Sequence, residues 1–306
     1  MPRDVFTDFS RTIHQHFTGA MEVLSMNAPT FIPATGRIEV CELIWFVRQQ
    51  ACACLFGFLL LAGLMVTRSW AFESSLARAD FLFLYALGLQ IALIAFRFEH
   101  RDEIIVICAF HLLATLMEWF KTSPAIGSWQ YPDEGAIFRV YQVPLFAGFL
   151  YSSVGSYIAR AWRLFDFRFE NYPPVWLTVI LAVGAYGNFF THHFVIDIRI
   201  PLIVASIAMF VRCRVIFCTG SEYRSMSLLA GLMMVALMIW IAENAGTFAR
   251  AWVYPSQEAG WRPVSLHKFW AWYLLMILSF VLVSLVNFRK KENAGKKRGV
   301  WGAGIL

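Results

Sequence analysis

The chain reads as a succession of long apolar runs broken by short polar connections. A membrane-spanning helix needs about 20 apolar residues at about 1.5 Å rise each. Runs of that kind fall near 49–67, 80–97, 104–120, 140–161, 174–193, 195–211, 226–246 and 268–288. The sixth is interrupted by Asp197, Arg199 and Pro201. The pattern predicts an all-α polytopic membrane protein with about eight transmembrane helices. Its parts are an N-terminal cytoplasmic or interfacial segment (1–48), a transmembrane bundle (49–288) and a basic, disordered cytoplasmic tail (289–306). Within the first part, Val5, Phe9, Ile13 and Phe17 recur every fourth residue, the stripe of an amphipathic helix lying on a membrane surface. No continuous apolar run precedes residue 40, so no cleavable signal peptide is expected.

Composition supports lipid as the solvent. The 306 residues are 59% hydrophobic and 15% charged, against roughly 25% charged in a soluble domain. Net charge is +6, but the basic residues lie at the ends of the runs and not in one patch interleaved with exposed aromatics, so nucleic acid is excluded as a partner. With the N-terminus inside, 18 Lys and Arg residues fall on the inner side, 7 on the outer side, and Arg199 lies between them. By the positive-inside rule both termini are cytoplasmic. In this count Arg160, at the end of the fourth run, and Arg163 fall on the inner side. The six cysteines contain no Cys-x-x-Cys pair and read as packing residues. In the fourth run Gly148, Ser152 and Ser156 form a small-residue stripe of the kind that lets helices approach closely in lipid.

One pattern occurs twice. Glu118 ends the third run and Trp129-Gln130-Tyr131-Pro132 follows; Glu243 ends the seventh and Trp252-Val253-Tyr254-Pro255 follows. Helices three–four and seven–eight therefore read as a partial parallel internal repeat, an arrangement that often brackets a shared site. Trp129, Tyr131, Trp252 and Tyr254 alone would read as an interfacial aromatic belt. A fixed order of glutamate and Trp-x-Tyr-Pro is more than a belt requires.

A third cluster, Asn188, His192, His193, Asp197 and Arg199, lies at the turn between the fifth and sixth runs. His193 and Asp197, four apart, would share a helix face, so Asp197 could orient the imidazole as a base. Asp197 and Arg199, two apart, would point to different sides, which leaves Arg199 to reach Glu118 or Glu243. Ionisable groups inside a membrane are functional candidates, and a structural ion network is the competing reading. His111, Glu118, His192, His193, Asp197, Glu243 and His267 together could supply metal ligands, but their spacing selects no metal. Cofactor and oligomeric state stay unknown.

On Glu118-Trp119-Phe120-Lys121-Thr122, Gly127-x-Trp129-x-Tyr131-Pro132, Val143-Pro144-Leu145, Gly148-Phe149-x-Tyr151, Asn188-Phe189-Phe190-x-His192-His193, Asp197-x-Arg199 and Glu243-Asn244-x-Gly246-Thr247, the chain resembles a bacterial membrane family called domain of unknown function 817. The resemblance runs from about residue 40 to 290 and implies a bacterial cytoplasmic (inner) membrane. A fainter similarity runs to integral lycopene cyclases and carotenoid hydratases, with a glutamate at a helix end and a Val-Pro-Leu-like helix start. It implies carboxylic-acid protonation of a long polyene without a redox cofactor. The acidic pair of the cyclases is missing, since Leu145 and Phe146 follow Pro144.

Two functions follow as expectations. The first is an enzyme for a lipophilic, isoprenoid-like small molecule near the outer leaflet. Its general acid is Glu118 or Glu243, its base His193 oriented by Asp197, and Arg199 its anchor. Trp129, Tyr131, Asn188, His192, Asn244, Trp252 and Tyr254 bind the substrate. The second is a proton-coupled carrier with Glu118, Glu243, Asp197 and Arg199 as coupling groups. Membrane lipid is the expected partner in both. There is no Gly-rich phosphate loop and no nucleophile elbow.

Overall fold

The computed structural model describes residues 39–68, 76–132 and 135–302. The amphipathic stripe of residues 5–17 lies outside them. The described residues form eight α-helices: α1 (Val40–Arg68), α2 (Arg78–Ala95), α3 (Arg101–Thr122), α4 (Phe146–Leu164), α5 (Val175–Thr191), α6 (Arg199–Phe210), α7 (Leu228–Phe248) and α8 (His267–Gly302). Each apolar run is thus the core of one helix.

Among the described residues five helices are long and apolar enough to cross a membrane: α1, α2, α3 from Glu103, α7, and α8 as far as Phe288. Helices α5 and α6 are apolar but shorter; the 12 residues of α6 reach about 18 Å, short of a hydrocarbon core of about 30 Å. Helix α8 continues to Gly302, so the expected disordered tail is helical through that residue.

The molecule is not all-α. Strands β1 (Arg139–Val140) and β2 (Val143–Pro144) form a short hairpin before α4. A three-stranded antiparallel sheet joins β3 (Arg168–Glu170), β4 (Arg214–Thr219) and β5 (Glu222–Ser227) in that order. Thr219 pairs with Glu222, so Gly220-Ser221 is a two-residue turn, with Gly220 at φ +71°. Positive φ at the first central position suits glycine and matches the strand twist. The sheet ties the α4–α5 connection to the α6–α7 connection.

Charges near the helix ends are paired inside the bundle. Arg160 lies inside α4 with its side chain 1% exposed, 2.9 Å from Glu99, which is fully buried. Ser156 Oγ donates to the same Glu99 oxygen (2.7 Å), Gln90 donates to the other, and Arg160 also donates to the Cys52 carbonyl (3.0 Å). Buried charges require such partners. Arg163 pairs with Glu103 and Arg224 with Glu42 nearby along the same end. All six cysteines are free thiols.

Helix α4 is the hub, packed against α1, α2, α3 and α8. The small-residue stripe explains its approach to α3: a Cβ on Gly148 would lie 2.5 Å from His111 Cε1. His111 is held there, edge-on to Phe149 at 4.9 Å between ring centroids, and so serves packing. Gly148→Leu is expected to lower stability by about 1–3 kcal/mol, the usual range for overpacking. Thermal unfolding in detergent would read this, and an unchanged midpoint would mean that the α3–α4 contact is loose.

Candidate functional site

Both repeated segments fold back onto the bundle and meet. Gln130 and Val253, the middle residues of the two Trp-x-Tyr-Pro segments, form an antiparallel bridge, with N–H···O distances of 3.0 and 2.9 Å. The α2 side of this region is held by Asp80. Its buried carboxylate accepts the backbone N–H groups of Ile137 and Phe138 at 2.7–3.0 Å, which fixes the chain leading into β1.

The pairing turns each segment's aromatics toward a glutamate. Glu118 is 1% exposed and accepts three hydrogen bonds: from Trp129 Nε1 (2.8 Å), Tyr131 OH (2.8 Å) and Tyr151 OH (2.7 Å). Glu243 is 3% exposed and accepts from Tyr254 OH and from Trp272 Nε1 (2.5 Å). Neither glutamate has a cation within ion-pair distance among the described residues. Burial, reinforced by the Glu118 carboxylate, pushes the Tyr131 phenol well above its ordinary range. Burial and Glu243 do the same to Tyr254. Both phenols therefore stay protonated and act as donors.

Tyr151 and Trp272 were not singled out from the sequence as site residues. Each is the sixth residue of its helix, α4 and α8 respectively, and their rings lie 6.0 Å apart. The signal was available: each helix follows a copy of the motif, so equivalent positions invite comparison. Trp252 breaks the correspondence. Its ring covers Gly246 and makes no bond to Glu243, whereas Trp129 bonds Glu118.

These groups cap one end of a cavity of about 720 Å³, within the usual size of a small-molecule site. Glu118, Trp129, Tyr131, Glu243, Trp252 and Tyr254 line that end. Mostly aliphatic and aromatic side chains line the rest, with Gln50, Cys54 and Ser153 among them, down to Phe165, Phe167, Phe169 and Phe217 at the three-stranded sheet. Phe58 on α1 and Met234, Leu237 and Met238 on α7 line the cavity and are also exposed on the outside of the bundle.

The remaining expected residues lie elsewhere. Asn188 staples the α5–α6 turn, donating to Asp197 Oδ1 (2.9 Å) and accepting the Ile198 N–H (3.1 Å). Asn244 donates to the Trp240 carbonyl and accepts the Val264 N–H (2.8 Å each), a loop anchor and not a cavity wall. Asp197 pairs with Arg199 at 3.4 Å, contrary to the expectation that they diverge. Arg199 therefore does not reach a glutamate. Asp197 makes no contact with His193 either, because α5 ends at Thr191 and the i, i+4 face does not continue through the turn. The neighbour of both imidazoles is Lys121: its Nζ lies 2.8 Å from His193 Nε2 and 3.4 Å from His192 Nε2. Among the described residues no group of three or more His, Cys, Asp or Glu is placed to hold a metal ion. His267 is exposed at the start of α8.

No solved structure matches the chain. The uncharacterized protein YoaT of Bacillus subtilis (strain 168) is 38% identical over 256 residues, covering 83% of this chain and 95% of that protein. The family model described as "Protein of unknown function (DUF817)" matches residues 42–280, from the first helix to the last, taking in both glutamates and every residue that bonds to them. The chain belongs to the DUF817 family.

Proposed function

We propose that this is a protein of the bacterial cytoplasmic membrane that binds a long apolar, isoprenoid-like molecule in the cavity and acts on it by acid chemistry. The observation that carries the reading is the wall composition. An apolar cavity ends at two buried carboxyl groups whose hydrogen-bond partners are neutral phenols and indoles.

Repeated passage of the chain between two opposite ends, with both termini on one side, is supported by how the connections segregate. The α4–α5 and α6–α7 connections share the three-stranded sheet, while the α3–α4 and α7–α8 connections meet at Gln130 and Val253. Alternating connections at opposite ends are what successive crossings require. The same bridge supports the internal repeat, because an antiparallel pair is itself two-fold symmetric and here joins equivalent residues of the two copies.

The exposed wall between α1 and α7 offers entry from lipid. In its acid form, Glu118 or Glu243 would transfer its proton to a carbon–carbon double bond, leaving a carbocation that the faces of Tyr151, Trp272 and Trp129 stabilise. The carboxylate so formed would then remove a proton from an adjacent carbon, moving the double bond and restoring the acid. The base is thus a glutamate, since His193 lies outside the cavity. A proton-coupled carrier would need a polar track to the opposite end, where the lining is mainly Phe165, Phe167, Phe169, Val215 and Phe217 and the hydrogen-bonded pair of Tyr157 and Gln50 supplies the polar groups.

The test is extraction of bound small molecules from detergent-purified protein, analysed by mass spectrometry beside the Glu118→Gln, Glu243→Gln double variant. A stoichiometric long-chain unsaturated molecule is expected in the wild type, with altered or lost binding in the variant. Bulk phospholipid alone, identical in both, would overturn the reading.

A further inference from the structure

Lys121 closes the last turn of α3 and is 4% exposed. Its partners are two imidazole nitrogens. His192 Nδ1 lies 2.7 Å from the Asn188 carbonyl, which can only accept, so the ring carries its proton on Nδ1 and offers Nε2 to Lys121 as an acceptor. No carboxylate stands within ion-pair distance of Lys121 among the described residues. A buried ammonium normally has an anionic partner.

The charges nearby make the imbalance larger. Lys268 and Arg199 both lie within electrostatic reach of Lys121, with Asp197 as the one acid acting on it. Asp197 is already engaged by Arg199 and Asn188. Lys268 opens α8, where the helix dipole disfavours a cation. Its ammonium sits 4.3 Å from the Tyr254 ring centre and 5.5 Å from that of Trp129, with no hydrogen bond or ion pair among the described residues. Glu118 and Glu243 act on it only through space. The two rings under Lys268 also line the cavity. Lys268 is therefore separated from the apolar cavity by one aromatic layer.

We propose that Lys121, Lys268 and Arg199, with His193, form an oxyanion site that takes a phosphate group, either the head of the amphiphile whose chain fills the cavity or free phosphate. The assignment rests on the cavity reading above for its lipid source, and it narrows the ligand class to phosphorylated long-chain molecules. Lysine ammoniums and a guanidinium suit a phosphate because charge-assisted hydrogen bonds to its oxygens are the stronger kind. An anion there would also relieve the repulsion that Lys268 exerts on Lys121.

The experiment is equilibrium binding to the purified full chain in detergent with three probes: farnesyl phosphate, farnesol and inorganic phosphate. Farnesyl phosphate is expected to bind about tenfold or more tighter than farnesol, the scale of one or two charge-assisted bonds. The Lys121→Gln, Lys268→Gln variant should lose that preference while keeping its affinity for farnesol, and Lys121→Arg should retain most of it. If inorganic phosphate binds in a Lys121-dependent way and farnesyl phosphate gains nothing from its chain, the oxyanion site stands and its source is free phosphate. Equal binding of farnesol and farnesyl phosphate, with no phosphate binding, overturns the oxyanion site and leaves the cavity reading standing. Failure of all three probes to bind overturns both. Should the glutamine variants not fold, the wild-type comparison alone decides.

Discussion

Replacing Arg160 by alanine is expected to destabilise the folded protein by about 3–5 kcal/mol, the range seen when one member of a buried ion pair is removed. Glu99 would stay behind in a fully buried position, held only by Ser156 and Gln90. The Cys52 carbonyl on α1 would lose the Arg160 donor as well, so the contact between α1 and α4 weakens. A double replacement, Glu99→Leu with Arg160→Met, should recover much of the loss, because it removes the stranded charge and fills the space. Thermal unfolding in a single detergent, with the yield of monodisperse protein, measures the pair of variants. A single variant as stable as the wild type would mean that water reaches Glu99 and that the site is not buried in solution.

The second large effect concerns Glu118, and it separates a structural from a chemical role. Glu118→Leu leaves the indole of Trp129 and the phenols of Tyr131 and Tyr151 without their acceptor. Each stranded buried donor costs about 1–3 kcal/mol, so a loss of several kcal/mol is expected. Glu118→Gln keeps one acceptor oxygen and nearly the same volume, and should lose roughly 1–2 kcal/mol while removing the transferable proton. The two variants are compared by thermal midpoint. If the leucine variant is as stable as the glutamine one, the three donors find other partners and the carboxyl does not organise that end of the cavity.

How far these residues could be found from the chain alone differs from case to case. Glu118 and Glu243 were legible because an acid at the end of a long apolar run stands out, and because the Trp-x-Tyr-Pro pattern recurs after each. Tyr151 and Trp272 were not, since nothing local distinguishes a tyrosine or tryptophan early in an apolar helix. The cluster near His193 was found by composition but connected wrongly. Spacing by four implies contact only while the backbone is helical, and α5 ends at Thr191. Lys121, 72 residues earlier in the chain, took the place expected of Asp197. The Gly220-Ser221 turn carried a readable hairpin signal after the β-branched and aromatic stretch Val215–Thr219, although the strand that follows it, Glu222–Ser227, is mostly polar. It was obscured by the apolar runs on either side.

By itself the sequence determined eight apolar helices, the positions of two glutamates at helix ends and the aromatic segments that follow them, because hydropathy and local order depend only on neighbours along the chain. Tertiary structure decided which charges are buried, which donors reach each carboxyl, and that the two motif copies meet at Gln130 and Val253 over one cavity. Those contacts join residues from 11 to over 120 positions apart. They arise where α4 packs against α3 and where α8 packs against α7, and no period along the chain encodes that packing.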